Sequence, residues 1–130
     1  MSDPPRELSA PDPLTFLFGV HNHQPAANFD GVIREATDRA YHPFLALLER
    51  FPEIPATVHT SGALLAWLKE QAPPTFDLLG ALAARGQVEL LTGGFYEPIL
   101  PILPDWDKVG QVQALSEFIR RHFGVKPRGM

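Results

Sequence analysis

Three short apolar runs punctuate the chain, and the stretches between them repeat their apolar residues every three or four positions. The runs are Phe16-Leu17-Phe18-Gly19-Val20, Ala56-Thr57-Val58-His59 and Val88-Glu89-Leu90-Leu91-Thr92. Their length, β-branched content and flanking glycines and prolines predict strands over residues 14–22, 56–59 and 88–92. Nothing in residues 16–20 needs water, which suits a strand buried on both faces of a parallel sheet. The intervening stretches have helical spacing. One stripe is Val32, Ala36 and Ala40, with Asn28 or Asp30 as its cap. A second piece begins near Pro43 and runs through Phe44, Leu47, Leu48 and Phe51 until Pro52 and Pro55 stop it. After residue 59, Thr60 or Ser61 caps a helix carrying Leu64, Leu65 and Leu68, which Pro73-Pro74 ends. Thr75 is the expected cap of the next, with Phe76, Leu79, Leu82 and Ala83 inward and Gly86 as a left-handed terminator. Asp105 caps the longest helix, whose stripe is Val109, Val112, Leu115, Ile119 and Phe123, and Gly124 closes it.

The order βαβαβα implies an α/β fold with a parallel sheet and right-handed crossovers. Residues 1–13 hold four prolines and little apolar character, so a flexible leader is expected there. After Gly124 and Pro127 the pattern asks for a fourth strand. The expectation is therefore that residues 14–130 are the front portion of a larger domain truncated before that strand, because a sheet stopping there would leave an apolar edge.

Composition narrows the function. The chain has 130 residues, 45% hydrophobic and 20% charged, with a formal net charge of −4. That balance argues against nucleic acid or an anionic membrane as partner. The absence of cysteine removes disulfide and thiolate chemistry and is compatible with a cytoplasmic location. The first residues lack a signal-peptide profile, and no apolar run approaches the ~20 residues of a membrane span.

Candidate chemistry gathers where the strands end. Side chains alternate along a strand, so His21 and His23 leave the same side of the first one, and His59 stands at the end of the second. The carboxyl ends of parallel strands are where α/β sheets and barrels bind ligands. The imidazoles suit hydrogen bonding to a polyhydroxylated ligand, or metal. Glu89 lies within a run expected to be buried, so it must be paired, hydrogen-bonded or protonated. An ion pair with Arg85 or Arg128 is the bland reading, a ligand-facing carboxylate the sharper one. In Gly93-Gly94-Phe95-Tyr96-Glu97-Pro98, Phe95 and Tyr96 could stack on a sugar ring or simply pack under the loop. Glu97 reads as a loop carboxylate fixing backbone amides. The glycines fit neither a phosphate cradle nor a dinucleotide fingerprint.

His21-Asn22-His23-Gln24-Pro25 and Gly86-Gln87-Val88-Glu89-Leu90 resemble glycoside hydrolase family 57, of α-amylase and 4-α-glucanotransferase type. The likeness continues in order through Asn28-Phe29, Tyr41-His42-Pro43-Phe44, His59-Thr60-Ser61-Gly62 and Gly94-Phe95-Tyr96-Glu97-Pro98. It implies the first three βα units of an incomplete (β/α)7 barrel. It also implies a retaining glycosidase or transglycosylase acting on an α-glucan or maltooligosaccharide through two carboxylates, with no cofactor and no metal. The nucleophilic glutamate and the aspartic acid/base of such enzymes would fall beyond Met130, so no catalytic residue is expected in this chain and the chain alone should be inactive. What the resemblance carries over is a substrate-binding shell: His23, Glu89 and, as a neighbour in the first motif, His21, with His59, Gln24 and Tyr96 in support. Hydrolase is not separated from transferase, nor is oligomeric state fixed.

Two other readings compete. A metal-dependent hydrolase of amidohydrolase or polysaccharide-deacetylase type would use His21 and His23 with His59 and Glu89 as ligands. Against it, position 63 is Ala63, so His59 has no partner histidine four residues on. A non-catalytic carbohydrate-binding module of the same fold is the other.

Overall fold

The computed structural model describes residues 14–130; the expected leader at 1–13 lies outside them. Strands β1 (Gly19–Asn22), β2 (Ala56–Thr60) and β3 (Val88–Leu91) form a parallel sheet in the order β1-β2-β3. Five α-helices accompany it: α1 (Asp30–Ala36), α2 (His42–Arg50), α3 (Gly62–Gln71), α4 (Pro73–Ala84) and α5 (Asp105–Phe123). A π-helical turn over Thr37–Tyr41 joins α1 to α2, and a 3₁₀ turn over Leu100–Ile102 precedes α5. This is the α/β alternation the apolar pattern predicts.

The register fixes which side chains share a face. Gly19 pairs with Thr57 and His21 with His59; Thr57 in turn pairs with Glu89 and His59 with Leu91. Paired residues of parallel strands project together, so Gly19, His21, Thr57, His59, Glu89 and Leu91 line one face. Val20, Val58 and Leu90 line the other, as do Phe18, Ala56 and Val88. The second face is the core: Val58, Val88 and Leu90 are buried with Leu64, Leu65, Leu68, Leu79, Leu82, Leu115 and Ile119.

Helices cover only that face, which corrects the expectation of strands buried on both sides. Phe16 and Leu17 are more than four-fifths exposed, and β1 begins at Gly19 rather than residue 14.

Two helical stripes are also displaced. The buried residues are Ile33 and Thr37 rather than Val32 and Ala40, then Leu45 and Leu48 rather than Leu47 and Phe51. The intervening π turn inserts extra backbone per turn and rotates the faces on either side.

Pro73-Pro74 opens α4 instead of only ending α3. The pyrrolidines occupy positions whose N–H groups would lack helical partners anyway. Thr75 is correspondingly not a cap; it is buried, with its hydroxyl 3.0 Å from His42 Nδ1. Asp105 is the first residue of α5, where its carboxylate accepts a bond from Lys108 Nζ at 2.9 Å, and Pro104 takes the cap position.

Gly86 adopts φ 76° just past α4, and Gly124 terminates α5 at φ 69°, as expected. Beyond Gly124 the chain returns beside β3, where the Thr92 amide donates to the Gly129 carbonyl at 2.9 Å.

Buried Gln87 ties the sheet to the end of α2. Its Nε2 lies 2.8 Å from the carbonyls of Leu48 and Phe51 and 3.0 Å from that of Ile54, while its Oε1 accepts from Arg85. Arg85 is thereby engaged with Gln87 and does not pair with Glu89. Among the described residues no helix is long and apolar enough to cross a membrane.

Candidate functional site

The carboxyl ends of β1 and β2 bring two imidazoles together. His21 and His59 face one another across the strand pair with Nδ1 atoms 2.8 Å apart and ring centroids 4.9 Å apart, nearly parallel. Two nitrogens this close share one proton, one donating and the other accepting. His23 follows one residue past β1, and its ring stacks 5.9 Å from that of His21. The shared side expected of His21 and His23 is what the structure has.

The fourth member comes from the loop after β3. A turn closed by the Glu97 amide donating to the Gly94 carbonyl at 3.1 Å swings Glu97 back over the strand ends. Glu97 Oε1 lies 3.3 Å from His59 Nδ1 and 3.6 Å from His21 Nε2, and Oε2 contacts His23 Nδ1. Its backbone sits at φ 49°, a left-handed conformation costly for a residue with a β-carbon. Glu97 therefore gathers three imidazoles rather than fixing backbone amides. A signal for it was present: a carboxylate four residues past Gly93, in the loop at the carboxyl end of a strand.

Exposure grades across the cluster. The His59 and Glu97 side chains are 16% and 17% exposed, His23 38% and His21 56%. Oε1 of Glu97 is sealed from solvent yet receives no well-formed hydrogen bond. Burial lowers the His59 pKa below 6.5; Glu97 opposes that shift, while His21 and His23 add to it. Close approach of backbone makes this packing possible: a β-carbon on Gly93 would lie 2.6 Å from His59 Nε2.

The remaining expected site residues divide. Gln24 is a brace: its Nε2 donates to the Tyr41 hydroxyl at 2.9 Å, its Oε1 accepts from Asn28, and the Tyr41 hydroxyl donates to the His23 carbonyl at 3.2 Å. Asn28 and Tyr41 thus hold the loop that carries His23. Tyr96 is 60% exposed beside Glu97, edge-on to Phe95 at 5.0 Å.

Glu89 is exposed rather than buried, and no ion pair holds it among the described residues. It shares the face of His21 and His59 but stands one pleat lower, about 6.6 Å along the strand direction from the Leu91 level. A shallow cavity of about 350 Å³ beside it is also lined by Lys126 and Arg128. The ligand set His21, His23, His59 and Glu89 is therefore not assembled; the grouping with ligand atoms mutually within 4.8 Å is His21, His23 and Glu97.

A parallel α/β sheet with histidines and acids on one open face and its helices on the other matches the opening units of a parallel α/β barrel. Residues 17–130 match the model of glycosyl hydrolase family 57, and the chain belongs to that family. It is 49% identical over 117 residues to alpha-amylase 1 of Dictyoglomus thermophilum, covering 90% of this chain and 17% of that protein. It is 46% identical to the 4-alpha-glucanotransferase of Thermococcus litoralis, covering 90% and 18%. The crystal structure of the 4-alpha-glucanotransferase from Thermococcus litoralis superposes with a TM-score of 0.82 at 45% identity, over 85% of this chain and 17% of that one. A family 57-type branching enzyme from Pyrococcus horikoshii shares the fold at TM-score 0.73 and 17% identity, over 87% of this chain and 33% of that one. The chain thus spans under one fifth of the length of the curated relatives described, and its fold is that of the front of the family's (β/α)7 barrel.

Proposed function

We propose that residues 14–130 supply the first three βα units of an enzyme that cleaves or transfers α-glucans with retention of configuration, and that they contribute its substrate-binding shell. The observation that carries this is the common face holding His21, His59 and Glu89, with His23 and Glu97 at its rim. On this reading His23 and His21 hydrogen-bond sugar hydroxyls, Glu89 accepts hydrogen bonds from a ring lying deeper along the face, and Tyr96 offers a stacking surface. His59, Gln24, Asn28 and Tyr41 hold the donors in place. Glu97 orients the imidazoles and is not the nucleophile, because it is already committed to three nitrogens. Both catalytic carboxylates belong to other parts of the full enzyme. Cytoplasmic residence is part of the reading, supported by the cysteine-free composition.

The test is kinetic. In the full enzyme carrying this chain, His23→Ala and Glu89→Gln should each lower kcat/KM on maltoheptaose by about tenfold or more, the scale of a lost charged or buried hydrogen bond. The 130-residue chain alone should release no reducing sugar. Wild-type kinetics in both variants, or turnover by the chain alone, would remove the proposal.

A further inference from the structure

We infer that His21, His23 and Glu97 form a binding site for a single borderline divalent transition-metal ion of the Zn²⁺ class. Two imidazole nitrogens and one carboxylate are the donor set of open three-ligand zinc sites. The three ligand atoms lie within 4.8 Å of one another, and the pair His21 Nε2 and Glu97 Oε1 is at 3.6 Å. Ligands about 2.1 Å from a tetrahedral ion stand about 3.4 Å apart, so small side-chain rotations complete the geometry.

Three further features favour an ion here. The supporting shell is in place: with its Nε2 toward the ion, His21 presents Nδ1–H to His59 Nδ1 at 2.8 Å. That second bond fixes the tautomer and ring plane of a metal-ligating histidine. The carboxylate is unneutralised by any lysine or arginine among the described residues, and its Oε1 is closed to solvent without a hydrogen bond. Glu97 is also held in a left-handed backbone conformation that aims it at the two rings. The exposed sides of His21 and His23 leave the remaining coordination positions open to water.

This binding needs only the three side chains and stands apart from the glycan reading. One consequence does rest on that reading: the ion takes nitrogens that sugar hydroxyls would use, so Zn²⁺ would inhibit the full enzyme competitively with glucan.

The experiment is calorimetric titration of the chain with ZnCl₂ near neutral pH, paralleled by the visible absorption of added Co²⁺. One equivalent should bind, Mg²⁺ should not compete, and Co²⁺ should give a low-coordinate spectrum. His23→Ala and Glu97→Gln, each checked for folding by circular dichroism, should weaken Zn²⁺ binding at least about tenfold. Removing the supporting ring in His59→Ala should cost about tenfold to a hundredfold. His122→Ala, remote from the cluster, should bind as the parent does. If either ligand variant misfolds, the Co²⁺ spectrum of the parent decides, since imidazole and carboxylate donors shift it from that of the aquo ion. No binding at millimolar Zn²⁺, equal affinity in folded His23→Ala and Glu97→Gln, or loss of affinity in His122→Ala would overturn the inference.

Discussion

The two faces of the sheet are built from the same three strands and do opposite work. On the helix-packed face, Val58, Val88 and Leu90 are almost completely buried among leucines from α3, α4 and α5. On the open face, Thr57 and His59 are only partly covered and Glu89 is exposed. The alternation of buried and half-buried positions through Ala56–Thr60 shows both faces within one strand. Burial of apolar surface drives folding, so the first face carries the stability and the second is free to hold polar groups that contribute little to it. A site of this kind can change its chemistry with little disturbance to the core.

That contrast can be broken from either side. The largest effect should come from the packed face: Leu115→Ala, at a position with no exposure, should destabilise the chain by about 2–5 kcal/mol through lost contacts and a residual cavity, read from urea unfolding. A loss below about 1 kcal/mol would mean that the core is not organised around α5. Next is Gly93→Ala, whose added carbon would meet His59 Nε2. The strain of overpacking is about 1–3 kcal/mol, and the His59 side-chain resonances should shift while those of Leu82 and Leu115 stay put. Resonances that remain in place would show that Gly93 and the His59 ring are not in contact.

The smallest effect is electrostatic. Because burial lowers the folded-state pKa of His59 below 6.5, the unfolded chain binds its proton more readily in the window beneath 6.5. Stability from this residue is complete above 6.5 and falls as pH drops through that window towards the folded pKa. NMR titration should place the His59 midpoint below 6.5; a midpoint above it would mean that Glu97 outweighs burial.

Much of this architecture was legible in the chain. The three strands, the histidines at their carboxyl ends and the terminating glycines at 86 and 124 follow from local pattern, because each depends on residues adjacent in sequence. The stripes of α3 and α4 were legible for the same reason. Those around Val32 and Leu47 were not, since the π turn at Thr37–Tyr41 leaves no compositional mark yet rotates both flanking helices. The exposure of Glu89 was hidden because its apolar neighbours Val88 and Leu90 speak only for the packed face. Glu97 was the largest gap. Its place among the imidazoles depends on a tight turn from Gly94 and a positive φ, and it meets residues 38 to 76 positions earlier in the chain.

The amide of Gln87 joins parts of the chain distant in sequence. One NH₂ group, with two hydrogens, faces the last carbonyls of α2 and the turn leading into β2, from a residue that sits immediately before β3. Residues 48–54 therefore cannot loosen without stranding that donor, nor can residue 87 withdraw without taking a bond from three carbonyls, of which those of Leu48 and Phe51 keep the amides of Phe51 and Ile54. The first and second crossovers are latched to each other, and amide-hydrogen exchange in both should proceed as a single opening event, with matching protection factors.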